Sequence, residues 1–331
     1  MGTPSRTRRW LRALVVLAGL ATLSAFGSAC AAEPTDARAW LARMHDAAAL
    51  RNYRGTMVVT TGGAVSSSRV VHYCVGDQTY ERVESLDGPL RRIYRHNDTV
   101  QTVWPQSREA VIERRTVRRP FRLDAAEPRA LDQYEMQSQG AQRIAGRDAQ
   151  VVLLKPLDAL RYPQRLWSDR ASGLMLRVDV LGSRGEVLES SAFSEVEIDI
   201  KPQPEALRQA MKRLDGYRVV RAAPAATQLE AEGWTLQGGV PGFALQSCIK
   251  RALVAQAAAA TVLQAVFSDG LAHVSLFIEP YDEKRHGAAL QTQIGATHTL
   301  MRRHGEHWIT VMGEVPAVTL ERFAQALERG R

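Results

Sequence analysis

From about Arg54 to Ile200 the chain is a succession of short runs rich in Val, Ile, Thr, Tyr and Trp, each broken by turn residues before it reaches the length of a helix. Residues 56–61, 69–75, 79–86, 91–95, 99–104, 110–115, 150–154, 165–168, 174–181 and 187–200 read as strands. Gly62-Gly63, Asp87-Gly88, Asp98, Pro105, Gly146, Ser172-Gly173 and Ser183-Arg184-Gly185 supply the breaks. Parallel neighbours need a long crossover between strands, and no long helical pattern separates these runs. The strands therefore pair as antiparallel hairpins, and one large curved sheet accommodates them all.

Helical patterns bracket this region. Trp40, Leu41, Met44 and Ala48 recur at helical spacing behind Pro34, with Thr35 or Asp36 able to accept hydrogen bonds from the first-turn amides. Leu207, Ala210, Met211 and Leu214 share a second face, which Pro204 opens and Gly216 can end. The next stretch, 219–227, contains Ala-Ala-Pro-Ala-Ala and has linker composition. The chain is thus expected to divide into a large domain, 32–214, a linker, 215–224, and a small domain, 225–331, with an α+β fold throughout. In the small domain Ser268-Asp269-Gly270 separates β patterns at 262–267 and 272–278, and His304-Gly305-Glu306 turns a second hairpin between 297–302 and 308–312. Leu320, Phe323, Ala324 and Leu327 lie at helical spacing before Gly330. Propensity alone favours helix for the alanine run at 252–260.

The first residues set the compartment. Arg6, Arg8, Arg9 and Arg12 precede an uncharged stretch from Ala13 to Ala32, whose apolar part, Leu14 to Leu20, gives way to small residues. This is the order of a secretory signal over residues 1–31, with Ala29-Cys30-Ala31 fitting the small-x-small cleavage rule and Ala32 opening the mature chain. By length the stretch also admits an uncleaved anchor, and Cys30 admits an acylated start, although Gly27 stands where a lipoprotein signal usually has Leu. The net charge of +8 rests on 43 bases against 35 acids; without the four arginines of the signal it falls to +4, which leaves little for a nucleic-acid reading. Cys74 and Cys248 alone survive such processing. They are too few for a zinc site, and an oxidising compartment lets them either pair or remain as separate buried thiols.

Catalytic signatures are missing: there is no Gly-x-Ser-x-Gly elbow, His-Glu-x-x-His helix, phosphate loop or dinucleotide fingerprint, so neither cofactor nor metal is expected. His298, His304 and His307 form the densest histidine group, but two of them flank a turn, where histidines are usually solvated. Glu81 and Glu84 fall on opposite faces of a strand and cannot act as an acid–base pair; a solvated edge suits them better. Arg108, Arg114, Arg115, Arg118, Arg119 and Arg122 fall within fifteen residues, behind Arg91, Arg92 and Arg95. On adjacent hairpins they would make a basic rim for phosphate or carboxylate, although 38 of the 43 bases are arginine and composition alone also yields such runs. Met57, Val59, Val71, Tyr73, Trp104, Trp167, Met175 and Val178 exceed a simple alternating pattern, and would either fill a core or line an apolar cavity suited to acyl chains. The lipid-contact candidates are Met57, Val59, Tyr73, Trp104, Trp167 and Met175, with Arg114, Arg115, Arg118 and Arg119 at the rim.

Particular segments carry a family likeness. Tyr80-Glu81-Arg82-Val83-Glu84-Ser85-Leu86-Asp87-Gly88-Pro89-Leu90-Arg91-Arg92-Ile93 resembles the glutamate, Leu-Asp-Gly and Arg-x-Ile block of the RseB/MucB proteins. Phe267-Ser268-Asp269-Gly270-Leu271-Ala272-His273-Val274-Ser275-Leu276-Phe277-Ile278-Glu279, Gly295-Ala296 and Trp308-Ile309-Thr310-Val311-Met312-Gly313-Glu314-Val315-Pro316 resemble the C-terminal segments of the same family. The resemblance spans essentially the whole mature chain. It implies a periplasmic, non-enzymatic negative regulator of the envelope-stress sigma factor. Such a protein binds the periplasmic domain of a membrane-anchored RseA/MucA-like anti-sigma factor, shields it from regulated proteolysis, and is released by lipopolysaccharide or another lipid. The resemblance also implies a lipid-sensing, LolA/LolB-like large domain, a half-open antiparallel barrel covered by helices. The small domain would hold the anti-sigma factor, with Asp269, Gly270, Phe277 and Trp308 as candidate contacts. Homo-oligomerisation stays open. The alanine-rich run 253–260 and the pair Cys74 and Cys248 depart from the family pattern. The alternative is a periplasmic lipid or lipoprotein carrier, which would need only the large domain.

Overall fold

The computed structural model describes residues 37–114, 132–222, 224–252 and 261–330. The first apolar spacing forms α1 (Ala37–Leu50), which turns Trp40, Leu41, Met44 and Ala47 inward. The chain then runs through β1 (Tyr53–Thr61), β2 (Ala64–Val75), β3 (Gln78–Ser85), β4 (Arg92–His96), β5 (Thr99–Trp104) and β6 (Glu109–Arg114). A second meander follows: β7 (Tyr134–Ile144), β8 (Arg147–Pro156), β9 (Gln164–Asp169), β10 (Met175–Leu181) and β11 (Val187–Ile198). Consecutive strands within each meander pair antiparallel, and β11 returns to β1, so the two meanders become one sheet.

α2 (Pro204–Lys212) opens on its proline and packs Leu207 against Val71, Tyr73 and Tyr80 of that sheet. Ala210, Met211 and Leu214 continue the same face over Tyr94, Val103 and Ala110. The segment expected as a linker, 215–224, carries β12 (Arg218–Ala222), which pairs parallel with β6. Val219 explains the difference: it packs against the cluster of Tyr94, Val103 and Ala110, so this piece of chain is held against the sheet. The sheet has the order β12-β6-β5-β4-β3-β2-β1-β11-β10-β9-β8-β7. No ladder joins its edges β12 and β7 among the described residues, so the sheet stays open, clad by helices, and does not close into a barrel.

Beyond it come β13 (Ala225–Ala226), β14 (Trp234–Leu236), β15 (Ala244–Ala252), β16 (Thr261–Ser268), β17 (His273–Pro280), β18 (Leu290–Ile294), β19 (Thr297–His304), β20 (His307–Gly313), α3 (Ala317–Ala326) and β21 (Leu327–Arg329). Seven of these strands form a second sheet, ordered β13-β15-β16-β17-β20-β19-β18, while β14 and β21 pair separately. Both expected hairpins are present as β16–β17 and β19–β20. α3 covers one face with Leu320, Phe323 and Ala324, which pack with Leu263, Phe267, Leu276 and Ile309. Leu327, expected on this helix, instead opens β21 opposite Leu236 and is still buried. The alanine run lies outside the described residues apart from Ala252, which ends β15. Among the described residues no helix is long and apolar enough to cross a membrane.

Cys74 and Cys248 are both free. Cys74 lies half-buried on β2, whereas Cys248 belongs to the core under α3, so of the two fates left open it is the separate thiols that hold. Burial pushes the Cys248 thiol up to about 11.

Candidate ligand cavity and the seam between the sheets

The face of the first sheet that carries α1 encloses a cavity of about 500 Å³. β1 contributes Met57 and Val59, β2 Val70 and His72, and β11 Glu189, Ser191 and Phe193, at the two-residue spacing that the pleat imposes. β10 adds Met175, Val178 and Val180. A further part of the wall comes from the second sheet: Gly270 and Leu271 in the β16–β17 turn, His273 at the start of β17, and Glu314 just after β20. Leu271 also packs against the cluster that α1 buries, so the turn is seated in the first sheet's own core.

The charged groups of the lining are acidic. Glu81, Glu189 and Glu314 line the cavity, and no lysine or arginine does so among the described residues. Glu81 is compensated by Arg95, whose Nε lies 3.1 Å from its Oε2. The fully buried His72 places Nε2 3.7 Å from Glu81 Oε1 and Nδ1 2.8 Å from the Arg51 carbonyl, and its ring stacks on Tyr53 at 5.0 Å. The solvated edge expected for Glu81 and Glu84 is thus corrected: β3 lies between β2 and β4, and Glu84 accepts from Arg92 Nε at 2.7 Å. They do occupy opposite faces. Neither the Glu189 nor the Glu314 carboxylate has a hydrogen bond or ion pair among the described residues.

Glu314 is open to the cavity yet surrounded by its concave wall. This desolvation, reinforced by repulsion from Glu189, pushes its carboxyl up to about 7 from an ordinary 4.5. A carboxyl raised on folding binds its proton more tightly in the folded chain, so stability falls as the pH rises from 4.5 towards about 7. Glu314→Gln is therefore expected to raise the Tm above about pH 7 and to leave it unchanged well below pH 4.5. Thermal melts across that range check it, and a gain independent of pH would contradict the assignment.

The turn that brings Gly270 and Leu271 into the cavity is anchored by Asp269, which is fully buried. Its Oδ1 accepts the backbone N–H groups of Leu271 at 2.9 Å and Ala272 at 2.7 Å. Its Oδ2 accepts from Arg161 Nε at 2.5 Å and from the Tyr134 hydroxyl at 3.1 Å. Arg161, also buried, donates to Asp158 at 2.5 Å and to the Pro241 carbonyl at 2.7 Å, and lies 4.7 Å over the Phe243 ring. Tyr134 opens β7, and Arg161 lies between β8 and β9, so one carboxylate of the second sheet is fastened to two places in the first. Burial, then the negative charge of Asp269, pushes the Tyr134 hydroxyl well above its ordinary range. Leu160 joins the core under α3, where its carbonyl accepts from Thr319 Oγ1 at 2.7 Å. At the far end of the seam Gly62 and Gly295 meet at positive φ: a Cβ on Gly295 would lie 3.1 Å from the Leu188 carbonyl and 3.2 Å from the Gly62 nitrogen.

Of the expected lipid contacts, Met57, Val59 and Met175 line the cavity. Tyr73 faces the other way, under α2. Trp167 belongs to a cluster with Val151 and Leu176, donates its indole N–H to Gln142 at 2.8 Å, and is covered by the Arg177 guanidinium at 4.7 Å. Trp104 is half-buried at the end of β5, outside the lining. Arg114 is exposed at the end of β6 and does not line the cavity, while Arg115, Arg118 and Arg119 lie outside the described residues. Among the candidate partner contacts, Gly270 lines the cavity, and the saturated Asp269 holds the turn. Trp308 is buried, its ring stacked on His286 at 5.0 Å. Phe277 alone of the four keeps partial exposure, with the Arg251 guanidinium 5.9 Å from its ring. Sequence reasoning missed Tyr53, His72, Glu189, Phe193 and Glu314; of these only His72, a lone imidazole within the run Val70-Val71-His72-Tyr73, left a local signal.

Fold and site together define a class: a β-rich protein with an apolar cavity in one sheet, bordered by a turn from another. The chain belongs to the MucB/RseB family, whose N-terminal domain model matches residues 36–211 and whose C-terminal domain model matches residues 228–328. The sigma factor AlgU regulatory protein MucB of Pseudomonas aeruginosa is 29% identical over 307 residues, covering 90% of this chain and 92% of that protein. The sigma-E factor regulatory protein RseB of Escherichia coli K12 is 24% identical over 318 residues, covering 94% and 96%. Among solved structures, MucB in complex with MucA(peri) superposes with a TM-score of 0.68 at 26% identity, over 89% of this chain and 100% of that one. The Pseudomonas aeruginosa MucA/MucB complex gives 0.69 at 25% identity, over 89% and 99%.

Proposed function

We propose that this protein is a periplasmic negative regulator of an envelope-stress sigma factor. It binds the periplasmic domain of a membrane-anchored anti-sigma factor, shields that domain from regulated proteolysis, and releases it when lipopolysaccharide or another lipid occupies the cavity. The observation that carries this reading is the likeness, over 89% of the chain, to a protein crystallised with the periplasmic part of MucA. The role is binding and not catalysis. Residues 32–214 sense the lipid and 225–331 hold the anti-sigma factor. The β16–β17 turn supplies the coupling: Leu271 touches the guest while Asp269, two positions earlier, fastens the second sheet. A guest that displaces Leu271 loosens that seat.

The cavity favours a second reading, a lipid or lipoprotein carrier. A carrier has no use for a second sheet that closes its cavity. A pull-down from a periplasmic extract, with residues 32–331 as bait, separates the two. The regulator retains the anti-sigma factor; retention of outer-membrane lipoproteins in its place would favour the carrier.

A further inference from the structure

The lining of the cavity carries a charge pattern of its own. Met57, Val59, Met175, Val178, Phe193 and Leu271 make a wall for an alkyl chain. Its acids are Glu81, already compensated by Arg95, and the pair Glu189 and Glu314, one from each sheet and neither with a cation of its own. The other titratable side chains on this wall are Tyr53, His72 and His273. An anionic head group drawn into this space would meet two carboxylates that lack cations on a largely apolar wall, and like charges repel more strongly there than in bulk water. A protonated amine in the same place would accept the charge of two unpaired carboxylates and donate a charge-assisted hydrogen bond to each.

We infer that, where a charged group enters the cavity, it is a protonated amine held between Glu189 and Glu314, and that anionic head groups stay outside while their alkyl chains enter. This rests on the lipid-binding reading above and adds the sign of the charge that the site accepts. No described arginine reaches the lining, and Arg115, Arg118 and Arg119 of the expected rim lie outside the described residues.

The test uses the chain from residue 32 to 331 and a neutral apolar fluorophore bound in the cavity, displaced at about pH 8 by dodecylamine, dodecanol or dodecanoate below their micelle concentrations. The amine is expected to displace it at least about tenfold more tightly than the carboxylate, the effect of one charge-assisted hydrogen bond, with the alcohol between them. In the E189Q/E314Q variant, with its fold checked by circular dichroism, the amine and the carboxylate are expected to converge to within about twofold. Dodecanoate that matches or exceeds dodecylamine on the unaltered chain overturns the inference, as does an amine preference that persists undiminished in the folded double variant. Failure of all three chains, dodecanol included, would overturn the lipid-binding reading together with it, a result distinct from a wrong charge preference.

Discussion

Asp269→Ala is expected to lower the unfolding free energy by about 3 kcal/mol or more, among the largest effects of any single substitution in this chain. The substitution removes the acceptor for Arg161 Nε, for the Tyr134 hydroxyl and for two turn amides. Arg161 keeps Asp158, whose side chain is 32% exposed, and the Pro241 carbonyl, so the buried guanidinium is left with one partly hydrated carboxylate in a site built for two. Tyr134→Phe deletes a single hydrogen bond to the same oxygen and should cost only about 1 kcal/mol. Chemical denaturation of both variants measures the contrast. Equal, small losses would mean that the knot of Asp269, Arg161 and Tyr134 does not fasten the sheets.

Phe323→Ala should cost about 3–5 kcal/mol, for a different reason. Phe323 is fully buried at the centre of the core under α3, its ring 5.0 Å from that of Phe267 and 5.5 Å from that of Phe243. Truncation forfeits the transfer free energy of an aromatic side chain and leaves a cavity between two rings that cannot close over it. Phe243 also lies beneath Arg161, so the cavity borders the knot at the seam. Val318, on the same helix but 41% exposed, is the control: Val318→Ala should stay within about 0.5 kcal/mol. A small loss at Phe323 would show that α3 is not the element that closes the second sheet.

How far the structure was legible differs between its parts. The β16–β17 and β19–β20 hairpins were readable because Asp-Gly and His-Gly-Glu turn signals sit between alternating apolar runs, and the α2 face was readable from Leu207, Ala210 and Met211. β7 was not: Tyr134–Ile144 is an edge strand made mostly of polar residues, with a register shift between Ser138 and Ala141 that breaks any alternation. The cavity was half legible. Excess apolar residues pointed to Met57 and Met175, but which face a side chain takes depends on strand register, and β11 and β10 each carry an extra residue, Ser194 opposite Thr56/Met57 and Leu176 opposite Trp167/Ser168. Such a bulge carries the apolar pattern from one face of a strand to the other, while Tyr73 and Trp167 sit in the runs Val70-Val71-His72-Tyr73 and Leu166-Trp167, which have no alternation to assign a face. Asp269 was visible as a turn residue, whereas its burial depends on Arg161, 108 positions earlier, and no local pattern encodes that meeting. For the same reason no local pattern marks Glu189 and Glu314 as cavity acids; two sheets bring them to one wall.

The regulator reading stands or falls on the half-life of an anti-sigma factor's periplasmic domain in the presence of the protease that first cleaves it. Residues 32–331 of this chain should lengthen that half-life, and added lipopolysaccharide should shorten it again. A Val178→Trp variant, with its cavity filled, should still protect but resist release by the lipid. Cleavage at the same rate with and without the chain would contradict the account at its centre, and protection that lipid reverses equally in the filled variant would separate release from the cavity.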